Sequence, residues 1–92
     1  MHLMVTGLVQ GVGFREFTLR TSRQLGIRGW VRNLPTGEVE LEAEGPEAAV
    51  QELEGKIKKG PRGSKVDSVN ALNTNSGEAL EEFEIRETPA KP

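Results

Sequence analysis

The chain contains no cysteine and a single histidine. The first absence excludes disulfides, thiolate nucleophiles and cysteine-ligated metals. The second leaves His2 near the N-terminus with nothing around it to complete a Ser-His-Asp triad, and a lone histidine in that place is expected to lie in solvent. No run approaches the roughly 20 apolar residues of a membrane span. The first residues also lack the basic-then-apolar layout of a secretion signal. The chain therefore reads as soluble and cytoplasmic, which suits a cysteine-free composition. Charge of one sign is lacking too: 12 Lys and Arg against 14 Asp and Glu leave a formal net charge of −2, not the basic excess of a nucleic-acid binder. Two phosphate motifs are missing. No Gly-Lys-Ser/Thr triplet exists, so there is no nucleotide-hydrolase P-loop, and Gly11-Val12-Gly13 is followed by Glu16 where a dinucleotide fingerprint needs its third glycine.

What is present is concentrated in Gly7-Leu8-Val9-Gln10-Gly11-Val12-Gly13-Phe14-Arg15. An apolar, strand-like run, His2 to Val9, meets a loop with two closely spaced glycines, and an arginine follows where a helical pattern begins. Glycines allow positive φ and let backbone N–H groups converge on one point. A helix N-terminus adds free N–H groups and partial positive charge. A cation in the first helical turn opposes the helix dipole, which makes sense if an anion sits between the two. Arginine's planar fork also matches a phosphate. On the residues alone, an anion site built from Gln10, Gly11, Val12, Gly13, Phe14 and Arg15 stands beside a plainer reading, a strand-to-helix turn with a surface arginine.

Ninety-two residues make one domain, 1–92, with a tail from about Thr88. Phe14 to Leu25 reads as a helix with Phe14, Phe17, Thr18, Thr21 and Leu25 on one face, closed by Gly26. Arg28 to Leu34 is strand-like, Leu34-Pro35-Thr36-Gly37 a turn, and Glu38 to Glu44 the clearest strand, with Val39, Leu41 and Ala43 alternating against four glutamates. Gly45-Pro46 opens a second helix with Val50, Leu53 and Ile57 on its buried stripe, and Gly60-Pro61 stops it. Lys65 to Leu72 reads as a fourth strand, Asn73 to Gly77 as loop, and Phe83 with Ile85 as a last short strand. The order β-α-β-β-α-β predicts an α+β, ferredoxin-like split-βαβ sandwich: an antiparallel sheet with both helices on one face.

That fold hosts many functions. RNA-recognition sheets carry aromatic and basic residues on the open face. Here Glu38, Glu40, Glu42 and Glu44 occupy it and would repel a phosphate backbone, so no nucleic-acid partner is expected. The same glutamates read as a solvated strand face and not a metal cage; no metal and no cofactor are expected. Trp30 is expected in the core or at its edge, with Arg28 and Arg32 on the opposite face as surface charges. Asn33, before Leu34-Pro35, is by itself a turn former. If the first two strands run parallel, however, the loops after them lie at one end of the sheet, and Arg15 and Asn33 can face one pocket.

The stretch from Gly7 to Arg15, then Leu25-Gly26-Ile27-Arg28-Gly29-Trp30-Val31-Arg32-Asn33 and Gly37-Glu38-Val39-Glu40, resembles the acylphosphatase family. Gly45-Pro46 and Phe83-Glu84-Ile85-Arg86 extend the match over nearly the whole chain. Thr36 and Ser22 depart from the residues usual in the family, away from the expected site. The resemblance implies the ferredoxin-like fold and hydrolysis of the carboxyl–phosphate anhydride of acyl phosphates. It implies that Arg15 and loop N–H groups hold the phosphate and that Asn33 orients the attacking water. Phosphoryl transfer relies mostly on positioning and charge stabilisation, and a carboxylate leaves without a general acid, so the sparse inventory suffices. The expected partners are a small acyl phosphate and, as a competing anion, inorganic phosphate or sulfate, met by a monomer without membrane contact. The alternative is a non-catalytic anion- or ligand-binding module, as in the related domain at the start of a larger carbamoyl-transferring maturation protein.

Overall fold

A computed structural model describes residues 1–74 and 76–90. Position 75 of the loop expected over Asn73–Gly77, and positions 91 and 92 of the tail, lie outside the described residues. The elements are β1 (His2–Leu8), α1 (Phe14–Gln24), β2 (Arg28–Asn33), β3 (Val39–Glu44), α2 (Glu47–Lys59), β4 (Lys65–Ala71) and β5 (Glu84–Ile85). Each lies within a residue or two of its expected bounds, and Gly26 closes α1 in the left-handed region, at φ 71°.

The strands form one sheet in the order β4-β1-β3-β2-β5. β1 is antiparallel to β3, with Leu3 opposite Leu41 and Val5 opposite Val39. β2 is antiparallel to β3 from the other side. β1 and β2 are therefore parallel to each other with β3 between them, the split βαβ arrangement. The sheet is mixed and not wholly antiparallel, because β5 pairs parallel to β2. β4 and β5 occupy opposite edges, so the last strand is separate from the fourth.

One face of the sheet carries the core. Leu3, Val5, Val31, Val39, Leu41 and Ala43 meet Phe14 from α1 and Leu53 and Ile57 from α2, with Phe83 closing the side near β5. Each is at most 1% exposed, and such a leucine, isoleucine or phenylalanine contributes about 1.5–3 kcal/mol by burial.

The other face departs from the sequence expectation. Glu40 and Glu42 are only 8% and 4% exposed. The chain between β4 and β5 has to cross from one edge of the sheet to the other, and it crosses over this face. The Ser76 backbone N–H and hydroxyl donate to the Glu42 carboxylate at 3.0 to 3.2 Å. His2, expected in solvent, is held between this segment and β3: its Nδ1 faces the Thr74 carbonyl and its Nε2 lies 2.6 Å from Glu40 Oε2. Arg32 completes the cluster, donating from Nε to Glu40 Oε1 at 2.8 Å. The placement of Arg28 and Arg32 opposite Trp30 is also corrected. Residues two apart on a strand share a face, and the Arg32 and Arg86 guanidinium carbons lie 4.9 and 5.1 Å from the centre of the Trp30 ring.

Candidate active site

The parallel course of β1 and β2 brings the loops that follow them to one end of the sheet. After β1 the chain passes through Val9, which is buried, and into the Gln10–Gly13 loop. Gly11 and Gly13 have φ of 75° and 77°, a region that costs a side-chain-bearing residue about 1 kcal/mol or more. Gly13 caps α1 with no side-chain cap bond. The first helical bond runs from Phe17 N–H to the Gly13 carbonyl. None of the amides from Gly11 to Glu16 has a backbone partner among the described residues, so the loop and first helical turn present a row of free donors.

The six loop residues contribute unequally. Phe14 is 1% exposed and spends its ring on the core; only its backbone belongs to the loop. Val12 packs against the core from its edge. The Gln10 side chain turns to the β2–β3 hairpin, donating to the carbonyls of Leu34 and Glu38. Arg15 is half-buried at the second position of α1. Its guanidinium has no hydrogen-bond or ion-pair partner among the described residues, a condition it shares with Arg20 and Arg62, but those two are exposed and Arg15 is half-buried; Arg23, Arg28, Arg32 and Arg86 are paired.

Asn33 ends β2, opposite Val39. Its Oδ1 is shut off from solvent and has no hydrogen-bond partner; among the described residues only the Ser22 hydroxyl and the Trp30 indole N–H share that condition. A buried acceptor left unpaired costs about 1–3 kcal/mol. The Nδ2 end also lacks a partner but is not sealed. The site thus joins free amides, an unpaired guanidinium and an unpaired carboxamide at one end of the sheet. Donors of this kind, free amides beside a guanidinium, are of the type that can bind a tetrahedral anion.

A cleft of about 490 Å³ at the other end of the sheet is lined by Met1, Glu42, Glu44, Glu47, Val50 and Glu78. Its carboxylates disfavour an anion, so charge decides against it. Among the described residues no group of three or more His, Asp or Glu side chains could hold a metal ion, and no helix is long and apolar enough to cross a membrane. The Gln10 contacts and the covered glutamate face were not legible in the sequence: a loop glutamine carries no specific signal, and alternation does not say what crosses a sheet.

Fold and site together define an α+β ferredoxin-like protein with a glycine-rich loop, Arg15 and Asn33 after its two parallel strands. The acylphosphatase family model matches residues 1–85. The acylphosphatase of Bifidobacterium longum (strain NCC 2705) is 57% identical over 68 residues, covering 74% of this chain and 70% of that one. The crystal structure of acylphosphatase from Bacillus subtilis superposes with a TM-score of 0.79 at 39% identity, covering 92% of this chain and 94% of the other. T. kodakarensis HypF superposes at 0.83 with 28% identity, covering 96% of this chain but 12% of that protein. The chain belongs to the acylphosphatase family.

Proposed function

We propose that the chain hydrolyses acyl phosphates, with the phosphate in the Gly11–Arg15 cradle and the attacking water beside Asn33. The observation that carries this reading is the unpaired Arg15 guanidinium set among the free amides of Gly11 to Glu16. The amides and the guanidinium bind the three non-bridging oxygens and offset the charge on the phosphoryl group in the transition state. The Asn33 amide, presenting Nδ2, hydrogen-bonds the water oxygen and leaves a lone pair directed at phosphorus. The new P–O bond forms as the bond to the acyl oxygen breaks. The carboxylate departs with the electron pair, and the water proton passes to a phosphoryl oxygen. The products are the carboxylate and dihydrogen phosphate. No step needs an acid, because the leaving group is a weak base.

Inorganic phosphate or sulfate competes for the same cradle. A monomer suffices for this reaction, since the loop amides, Arg15 and Asn33 lie at one end of a single sheet. The protein works in the cytoplasm, where a cysteine-free chain is indifferent to reducing conditions. The test is hydrolysis of benzoyl phosphate beside p-nitrophenyl phosphate. Rapid turnover of the first and near silence on the second is expected. Equal rates would require a proton donor that this site lacks and would overturn the reading.

A further inference from the structure

The Gln10 side chain leaves the loop to which it belongs. Its Nε2 donates to the carbonyl oxygens of Leu34 and Glu38, each at 2.9 Å. Both carbonyls already accept a backbone bond inside the hairpin: Gly37 N–H to Leu34 O at 3.1 Å and Leu34 N–H to Glu38 O at 2.8 Å. A carbonyl oxygen has two lone pairs and a carboxamide nitrogen has two N–H groups. One glutamine nitrogen therefore fills the second acceptor position of both. Asn33 immediately precedes Leu34, and its backbone partner Val39 immediately follows Glu38. The clip thus grips both chain segments that carry the Asn33–Val39 pair and ties them to the residue that opens the anion loop.

We propose that Gln10 is a positioning residue of the reaction, setting the Asn33 amide against the Gly11–Arg15 cradle through the hairpin while its side chain makes no contact with the phosphate. The proposal rests on the roles given above to Arg15 and Asn33. Both length and polarity matter here. Asparagine retracts the donors by a methylene. Glutamate sets an anion with no donor against two carbonyl oxygens, beside the phosphate. Methionine keeps the length and removes the donors.

The test is Gln10→Met, with kcat and KM for benzoyl phosphate and Ki for inorganic phosphate, alone and combined with Asn33→Ala. kcat is expected to fall about 10- to 100-fold, the range that follows from displacing a reacting partner by up to an ångström, while Ki for phosphate stays near wild type. In the Asn33→Ala background the Gln10 change should have little further effect on kcat, because the group it positions is gone. If the same loss appears in both backgrounds, or if Ki rises while kcat is kept, Gln10 does not act through Asn33 and the proposal is overturned. Should Gln10→Met fail to fold, Gln10→Asn carries the same measurements. A wild type inactive on benzoyl phosphate would overturn the catalytic reading as well; an active wild type with additive variants overturns the Gln10 role alone.

Discussion

Arg15 lies where helix electrostatics disfavours a cation. At the second position of α1 it opposes the dipole, an unfavourable interaction of roughly 0.3–1 kcal/mol, and no carboxylate offsets it among the described residues. Arg15→Ala should therefore fold with equal or slightly higher stability in the absence of anion, yet lose phosphate binding and nearly all activity. Thermal melts separate the two effects. Phosphate at about 100 times its Kd stabilises a folded binder by about 2.7 kcal/mol, and each 1 kcal/mol moves the Tm of a domain this size by about 4–8 °C. Wild type should show that rise and Arg15→Ala should not; an equal rise in both would place the anion elsewhere. Arg15→Lys keeps the charge but loses the fork, so it should retain part of the shift with badly impaired kcat. Asn33→Ala makes the complementary case. It should cut kcat by about 10²-fold, the scale of one well-placed transition-state group, without lowering Tm, because the side chain it removes holds a buried unpaired oxygen. A large drop in Tm with an unchanged rate would make Asn33 a turn former only.

The element with the least regular structure organises the second face of the sheet. Thr74 and Ser76 lie over this face, the first against His2 and the second against Glu42, and the chain is anchored again near β5. The Glu81 carbonyl accepts from Gly29 N–H, and Arg86 N–H donates to the Val31 carbonyl. Arg86 also holds Glu78 through two contacts, Nη1 to Oε1 at 2.8 Å and Nη2 to Oε2 at 3.3 Å. The hydrogen bond from Arg86 draws the Glu78 carboxyl below its ordinary value of 4.5. A carboxyl with a depressed folded pKa stabilises the fold above its unfolded value, and that contribution is lost as pH falls through the folded one. Glu78→Gln should accordingly melt slightly below wild type at pH 7, and the gap should close in acid below the ordinary carboxylate range. The pair is exposed to solvent and screened, so the gap is small. A difference that persists unchanged at pH 2 would show that the charge pair is not its source.

Across the whole molecule, charge and topology separate the two ends of the sheet. The end reached by the C-termini of β1 and β2 holds Arg15 and the free amides; the other opens a cleft lined by Glu42, Glu44, Glu47 and Glu78. An anionic substrate is attracted to the first and repelled from the second. The positive field at the site comes from the chain's own donors, so hydrolysis of benzoyl phosphate should survive a strong chelator and be competitively inhibited by inorganic phosphate. Loss of rate with chelator, restored by a divalent cation, would contradict this. The same architecture in HypF, where it accounts for 12% of a much longer chain, illustrates that the fold alone does not decide what a copy of it does.

The amino-acid sequence determined the element order, because hydrophobic period and Gly/Pro punctuation are local signals: the alternation of β3, the stripe of α2 and the breaks at Gly26 and Gly60-Pro61 each act within a few residues. It also marked Arg15, since a cation at a glycine-capped helix start is a local conflict with the dipole. Asn33 was legible only through the inference that β1 and β2 run parallel, which the register about β3 bears out. Tertiary structure alone decided the rest. Alternation separates two strand faces but does not name what lies over each, so the burial of Glu40 and Glu42, the capture of His2 and the stacking of Arg32 and Arg86 on Trp30 followed from where the chain crosses between opposite sheet edges. The parallel pairing of β5 has the same origin. The Gln10 clip spans 24 and 28 residues of sequence. Its partners are backbone carbonyls, which every residue possesses, and only folding decides which two of them a glutamine amide meets.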